Sequence, residues 1–115
     1  MHELGVVLEI VKTVEQFVDE NDVTSKIDKL ILQIGELSSI IPKYVEAVYP
    51  AAVDGTILEK TELEIEIIPA NARCKDCTKI FNAVINRAVC PECGSKEVEL
   101  LSGREFFIKE IIVVD

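Results

Sequence analysis

Four cysteines in two Cys-x-x-Cys pairs constrain this chain more than any other feature. Cys74 and Cys77 form the first pair, Cys90 and Cys93 form the second, and Thr78–Val89 separates them. Two pairs at this spacing are typical of two knuckles that converge on one tetrahedral zinc ion. Because four protein thiolates leave no open coordination position, the pattern predicts a structural rather than a catalytic metal.

Other uses of these cysteines stay open at the level of sequence. Disulfide bonds or idle thiols are one alternative, although a reducing compartment keeps thiols free. An iron site of the rubredoxin type also takes four thiolates, but the intervening segment is short and poor in the aromatic residues expected around it. A thiol oxidoreductase would need an activated, exposed thiolate, which bound zinc would silence. Gly94, directly after Cys93, suits a tight knuckle, whereas Thr78 at the matching place is less standard.

The composition indicates one main domain with at most a small second module. The 115 residues are 49% hydrophobic, far above the level of disordered proteins. No apolar run reaches the roughly 20 residues of a membrane helix, and His2 and Glu3 stand where a secretory signal would carry positive charge. We therefore expect a cytoplasmic protein without membrane association. The net charge of −9 repels phosphate backbones and argues against nucleic acid as a ligand.

The chain opens with an amphipathic helix pattern. From His2 to about Asn21, apolar residues recur at steps of three and four, which is the spacing of one helix face. These residues are Leu4, Val7, Leu8, Val11, Val14, Phe17 and Val18. A second helix is predicted from Lys43 to about Asp54. Pro50 inside it is expected to kink or split the helix, because proline lacks a backbone donor and clashes with the preceding turn.

Three further segments predict strands, namely Lys26–Leu37, Glu62–Ile68 and Arg104–Val114. In the second of them acidic and apolar residues alternate strictly, as in a half-buried strand. Asn71–Gly103 lacks such periodicity and reads as an insertion between two strands. The sequence thus predicts an α+β fold: a small mixed β-sheet with two helices plus an inserted zinc-ribbon-like module. Residues 1–70 and 104–115 would form the main α/β domain, and residues 71–103 the zinc-binding module.

His2 is the only histidine of the chain and directly follows Met1. Its imidazole, its own amide nitrogen and the terminal amine can act as adjacent donors, and the amide of Glu3 can complete a planar set of four nitrogens. Such a set suits Ni(II) or Cu(II), whereas zinc prefers a tetrahedral cage. Met1, His2 and Glu3 are therefore candidate nickel ligands. Alternatively, His2 is an exposed polar residue at the chain start, and Glu3 is an acid that favours the helix dipole.

The sequence offers little for catalysis. With the only histidine at position 2, the chain cannot form a Ser/His/Asp triad, and no glycine-rich phosphate loop is present. Glu62, Glu64 and Glu66 are expected to be the solvated face of a strand rather than a catalytic pair. We predict no catalytic residues and no enzymatic turnover.

Several motifs together resemble one known family over nearly the whole chain. They are Met1-His2-Glu3-Leu4, Ile34-Gly35-Glu36-Leu37, the pair Cys74 and Cys77, Cys90-Pro91-Glu92-Cys93-Gly94, and Gly103-Arg104-Glu105. In these motifs the chain is similar to the hydrogenase and urease nickel-incorporation proteins of the HypA/HybF family. The resemblance implies that His2, with backbone donors of Met1 and Glu3, binds Ni(II) as delivered cargo in the main domain, while the four cysteines bind structural Zn(II).

The same resemblance implies a nickel metallochaperone for nickel-iron hydrogenase, and in some organisms for urease. It implies a HypB-type GTPase and the hydrogenase large subunit as partners, and the chain itself as a monomer or homodimer. Two residues depart from the family pattern: Gly5 stands where serine is common, and Pro50 interrupts the second helix. The rival hypothesis is a zinc-ribbon adaptor that binds other proteins and has no nickel function.

Overall fold

The computed structural model describes residues 2–114, and of His2 only its place in the first helix. Residues 2–114 form two helices and six strands, which confirms the α+β class. In chain order they are α1 (His2–Glu20), β1 (Lys26–Gly35), α2 (Pro42–Val53), β2 (Glu62–Ile68), β3 (Asn71–Cys74), β4 (Ile80–Asn82), β5 (Val98–Leu100) and β6 (Phe106–Val114). The strands make two three-stranded sheets, in the orders β2-β1-β6 and β4-β3-β5. Neither helix within residues 2–114 is both long and apolar enough to cross a bilayer.

The described chain divides into two compact units, and the first contains residues 2–32, 40–65 and 108–114. Its helices pack against each other, and its core is built from fully buried aliphatic side chains. These are Val7, Val14, Leu30, Leu32, Val45, Val53 and Leu58. Thr61 is buried at the edge of this core, where its hydroxyl donates to the Ile27 carbonyl at 2.8 Å and its own carbonyl accepts from the Tyr49 hydroxyl at 3.1 Å. The Thr61 amide donates to the Leu58 carbonyl at 3.0 Å, so all three polar groups of Thr61 are satisfied.

Helix α2 is continuous through Pro50, so of the expected kink or split the split was wrong, and the kink stays a prediction. Proline at this position cannot donate to the carbonyl of Glu46, one turn earlier. Both residues lie on the exposed side of the helix, where water can satisfy the carbonyl that loses its partner. Pro42 at the start of the helix costs nothing, because a first-turn amide has no partner inside the helix anyway.

The second unit contains residues 33–39 and 66–107. Strand β3 pairs antiparallel with β4 on one side and with β5 on the other, so that Ala72 lies opposite both Phe81 and Leu100. The buried cluster of this unit is small and contains one large side chain, Phe81. Its members are Ala70, Ala72, Cys74, Phe81, Ala83 and Cys90. A cluster of this size buries little apolar surface and therefore stabilises the unit only weakly. A bound metal could supply part of the missing folding free energy.

Glu36, directly after β1, connects three segments of the second unit through hydrogen bonds. Its amide donates to the Ile68 carbonyl at 2.8 Å, and its carboxylate accepts from the Ala70 amide at 2.9 Å and from the Asn82 side chain at 3.1 Å. The hydrogen bond from Ala70, followed by that from Asn82, lowers the pKa of Glu36. The carboxylate therefore stabilises the folded unit in its ionised form.

We expect Glu36→Gln to weaken the dependence of stability on acidic pH. Because the folded-state pKa lies below the ordinary value of 4.5, the contribution of Glu36 is complete above that pH and is lost as pH falls through the folded-state pKa. Urea unfolding of both chains, measured stepwise from neutral pH downwards, should show a steeper loss for the parent. Glu59→Gln, at another exposed carboxylate, is the control, and equal slopes for Glu36→Gln and the parent would contradict the assignment.

Gly35 and Gly103 both lie where a side chain would clash, Gly35 against Gly103 and Gly103 against Ala70. A Cβ atom on Gly35 would lie 2.2 Å from the carbonyl carbon and oxygen of Gly103, and one on Gly103 would lie 2.6 Å from the Ala70 Cα. The close approach permits hydrogen bonds at 2.6 Å from the Gly35 amide to the Glu105 carbonyl and at 2.7 Å from the Leu37 amide to the Gly103 carbonyl. The absence of side chains here thus has a packing reason.

Gly35→Ala is expected to lower the free energy of unfolding by about 3 kcal/mol, the upper range for overpacking a buried site, since backbone must move to admit the methyl group. Gly5→Ala is the matched control. A Cβ on Gly5 meets nothing within 4 Å, and in helix α1 alanine should stabilise by about 0.5–1 kcal/mol. Urea unfolding midpoints check both signs, and a neutral Gly35→Ala would refute the packing argument.

Candidate metal centre

The structure brings all four cysteines together, as their spacing predicts. Their Sγ atoms all lie within 4.8 Å of one another; Cys74 and Cys93 are 3.6 Å apart, and Cys77 and Cys90 are 3.5 Å apart. None of the four forms a disulfide, whose sulfurs would be about 2.05 Å apart. The disulfide alternative is therefore excluded for this structure.

The first knuckle begins where strand β3 ends. The Cys74 amide donates to the Lys79 carbonyl at 2.8 Å, and the Thr78 amide donates back to the Cys74 carbonyl at 2.9 Å, which closes the turn. Inside the turn, the amides of Cys77 and Asp76 donate to the Cys74 sulfur, and the Lys79 amide donates to the Cys77 sulfur. The knuckle thus directs three amides at its two sulfurs.

The second knuckle repeats this arrangement. The Cys90 amide donates to the Ser95 carbonyl and the Gly94 amide donates to the Cys90 carbonyl, both at 2.9 Å. The amides of Cys93 and Glu92 donate to the Cys90 sulfur, and the Ser95 amide donates to the Cys93 sulfur. Such donors stabilise negative charge on sulfur, so each knuckle favours the thiolate form of at least one of its cysteines.

Corresponding residues of the two knuckles share the left-handed backbone conformation. Gly94 has φ of +75°, as predicted from its place after Cys93, and Thr78 has φ of +66°. A β-branched residue in this region costs roughly 1 kcal/mol or more. The only sequence signal for this conformation at Thr78 is its place directly after the second cysteine of a pair, which matches that of Gly94.

The four thiols differ in acidity. The hydrogen bond from the Cys77 amide lowers the pKa of Cys74 to about 7. The hydrogen bond from the Ser95 amide lowers the pKa of Cys93. The neighbouring Cys74 thiol, burial and the other two thiols outweigh this effect, so that the pKa of Cys93 is raised to about 12. Burial raises the pKa of Cys90, but hydrogen bonds from the Cys93 and Glu92 amides outweigh it, and the net pKa is lowered. At Cys77 the Lys79 amide lowers the pKa, but burial and the Cys90 thiol outweigh it, and the net pKa is raised. Uptake of a cation must displace protons and weakens as pH falls.

The geometry fits a single tetrahedral ion. Four sulfurs at about 2.3 Å from one metal lie about 3.8 Å apart, and two of the pairs here are at 3.5 and 3.6 Å. Cys74 and Cys90 are buried, one from each knuckle. A soft, four-thiolate set in a closed cage can hold a metal but leaves no position for a substrate.

The predicted nickel ligands fall largely outside the described part of the chain. Met1 lies outside it, and His2 is described only as the first residue of α1. The Glu3 side chain is 5% exposed, and its carboxylate accepts a hydrogen bond of 3.4 Å from the amide of Ile41. Ile41 is the N-cap of α2, so the carboxylate lies at the positive end of that helix dipole. The side chain of Glu3 therefore has a structural partner, and the backbone amide of Glu3 is the group left to bind a metal.

The acidic residues of β2 are engaged in cross-strand contacts. The Lys29 ammonium lies 3.1 Å from Glu62 and 3.3 Å from Glu64, and hydrogen bonds to these two raise the pKa of Lys29. Gln33 donates to Glu66 at 3.0 Å. This arrangement is a polar ladder along neighbouring strands, which agrees with the solvated face expected from the sequence.

Comparison with known proteins places the chain in one family. Residues 1–113 match the family described as "Hydrogenase/urease nickel incorporation, metallochaperone, hypA". A hydrogenase maturation factor HypA from Chlorobium limicola is 37% identical over 113 residues, covering 98% of this chain and 97% of that protein. Another from Streptomyces avermitilis is 36% identical over 112 residues, covering 96% of this chain and 86% of that protein.

Solved structures share the fold. The solution structure of a HypA protein superimposes with a TM-score of 0.69 at 24% identity and covers 99% of this chain and 97% of that one. The solution structure of the nickel metallochaperone HypA from Helicobacter pylori gives 0.64 at 23% identity, with 97% of each chain covered. The fold, the four-cysteine cluster and the sequence match over residues 1–113 agree, and the chain belongs to the HypA family of hydrogenase and urease nickel-incorporation metallochaperones.

Proposed function

We propose that this chain captures Ni(II) through Met1, His2 and the amide of Glu3 and delivers it during maturation of nickel-iron hydrogenase, while its four cysteines hold a structural Zn(II). The observation that most supports the proposal is the four-sulfur cluster in a chain that matches the nickel-incorporation family over residues 1–113. Cluster and family together favour a metal carrier over a general zinc-ribbon adaptor.

Zinc is the ion we assign to the cysteine cluster. It takes four thiolates in a closed tetrahedron without redox chemistry, and would supply folding free energy rather than reactivity. Amides of both knuckles point at the sulfurs, which offsets the excess negative charge of a tetrathiolate site. The small buried cluster of the second unit includes two of the ligands, Cys74 and Cys90. An ion at this place would therefore join the two knuckles and complete the core.

Nickel is assigned to the other end of the chain. Helix α1 begins at His2, so in a polypeptide that begins at Met1 the terminal amine and the first amides lie before the helix hydrogen bonds start. Four nitrogens in a plane suit Ni(II). Ligands that are few and partly backbone exchange a metal readily, as delivery requires. Cu(II) should bind the same donors more tightly, so selectivity would come from metal supply and partner docking.

The family supports a place in enzyme assembly. Relatives carry the name hydrogenase maturation factor, and we infer that a HypB-type GTPase and the hydrogenase large subunit are partners, with urease as a further recipient in some organisms. The chain would act in the cytoplasm as a monomer or homodimer, without enzymatic turnover. The net charge of −9 favours basic protein surfaces over nucleic acid.

A blocked amino terminus provides the test. Ni(II) is titrated calorimetrically into the native chain and into a chain with a short Gly-Ser extension before Met1, and zinc content is measured in both. We expect the extension to abolish planar nickel binding and to leave zinc unchanged. A chain extended at its carboxyl end is the matched control. Unchanged nickel affinity after the amino-terminal extension would reject the proposed site and would favour the adaptor hypothesis.

A further inference from the structure

Ser95 is a junction between the two knuckles. Its carbonyl accepts from the Cys90 amide at 2.9 Å, and its hydroxyl accepts from the Glu97 amide at 3.1 Å. The same hydroxyl donates to the carboxylate of Asp76. Asp76 lies inside the first knuckle and Ser95 ends the second, so this hydrogen bond connects them through side chains alone.

The connection lies beside one particular pair of sulfurs. The Asp76 amide donates to the Cys74 sulfur, and the Ser95 amide donates to the Cys93 sulfur. These two sulfurs are 3.6 Å apart. Two residues whose amides donate to these sulfurs, Asp76 and Ser95, are thus bonded to each other on the exposed side of the cluster. Cys93 is exposed, which makes it the ligand that a competing chelator reaches first.

A second contact between the knuckles is weaker. Lys79 and Glu92 are 3.9 Å apart, and their side chains are 47% and 67% exposed. Ion pairs of this kind contribute little, because water and salt screen them. The bond between Ser95 and Asp76 is also exposed, but a hydroxyl that donates to a carboxylate makes a charge-assisted hydrogen bond, which is about twice as strong as a neutral one.

We propose that Asp76 and Ser95 are positioning residues for the four-cysteine site, which hold the Cys74 and Cys93 sides of the two knuckles together and thereby slow the loss of the bound metal. The inference rests on the proposed zinc site. For zinc to leave, a ligand of one knuckle must move away from the other, and the side-chain bond opposes this separation independently of the metal. Neither residue contributes a ligand atom, so their effect is on the rate of release and not on the ligand set.

Zinc release tests the proposal. The zinc-loaded full chain is mixed with excess 4-(2-pyridylazo)resorcinol at neutral pH, and the coloured complex is followed in time. We expect Ser95→Ala and Asp76→Asn to release zinc about 10-fold faster, which corresponds to about 1.4 kcal/mol in the barrier. Ser95→Thr keeps the hydroxyl and should restore the slow rate. Glu99→Gln breaks the exposed pair between Glu99 and Arg73 in the same unit and should not accelerate release.

Cobalt substitution separates positioning from loss of a ligand. Co(II) bound by four thiolates has intense charge-transfer and d–d absorption, and Ser95→Ala should keep the parent spectrum while it releases metal faster. The inference is overturned if Ser95→Ala releases zinc at the parent rate, if Ser95→Thr is as fast as Ser95→Ala, or if Glu99→Gln accelerates release equally. A parent chain that binds neither zinc nor cobalt at its thiolates would overturn the proposed zinc site and this inference with it.

Discussion

Under the proposed zinc assignment, replacing Cys90 with serine is expected to unfold the predicted cysteine module, residues 71–103, and to abolish tight zinc retention. The buried cluster here contains one large apolar side chain, Phe81, and two of its six members are thiols. Little apolar area is therefore available to offset the conformational entropy of ordering the segment. Structural zinc binds in small modules with an apparent free energy of about 10–16 kcal/mol, and much of it is folding free energy.

Hydrogen exchange and metal analysis can verify this expectation. Amides that close the knuckles, such as those of Cys74 and Gly94, should lose protection in Cys90→Ser and in the parent after chelation. Ile85→Ser is the matched control in the same module, because Ile85 is 79% exposed and its replacement should leave zinc content unchanged. Persistent protection of the knuckle amides in a zinc-free Cys90→Ser chain would show that the segment folds without a metal.

Elements with a long, regular pattern could be predicted from the sequence. Helix α1 ends at Glu20, one residue before the expected limit, and strand β2 has the predicted bounds Glu62–Ile68. In both, side-chain periodicity matches the geometry of the element. Burial follows the pattern only in part, because Leu8 and Phe17 of α1 and Ile67 of β2 are exposed. Strand β1 ends at Gly35 instead of Leu37. The Leu37 amide donates instead to the Gly103 carbonyl at 2.7 Å, and this pairing with a distant segment leaves no pattern in the sequence.

The short strands β3, β4 and β5 could not be predicted. Each has three or four residues, too few for a period to emerge, and they exist because they pair with one another around the cysteine cluster. The roles of Glu36 and Ser95 were missed for a related reason. A single surface carboxylate or hydroxyl has no pattern, and its partners become neighbours only when distant segments meet.

The four-cysteine site, too, could be predicted from the sequence only in part. Spacing alone predicted that Cys74 and Cys93 meet, since each Cys-x-x-Cys pair forms one knuckle. The left-handed conformation of Thr78 was not predicted, because threonine has no preference for it. The boundaries 1–70, 71–103 and 104–115 stay a prediction; the compact units of the described chain contain residues 2–32, 40–65 and 108–114, and residues 33–39 and 66–107.

Under the proposed function, His2→Ala should lower the affinity for Ni(II) by more than about 100-fold, while Glu3→Gln should leave it nearly unchanged. Loss of a residue that merely supports a metal ligand costs about 10- to 100-fold, and removal of the imidazole takes away a ligand itself. Glu3 is proposed to contribute only its amide, because its carboxylate is occupied by the Ile41 amide. Glutamine at position 3 keeps the backbone amide, and its side-chain oxygen can accept the same hydrogen bond from Ile41.

Calorimetric titration of both variants with Ni(II), with helix content followed by circular dichroism, distinguishes the roles. Glu3→Gln should preserve the absorption of square-planar nickel, which His2→Ala should remove, and zinc content should equal that of the parent in both. If Glu3→Gln lost nickel while its helices remained intact, the carboxylate of Glu3 would have to leave Ile41 and ligate the metal. If His2→Ala retained the parent affinity, the planar nitrogen site would be refuted.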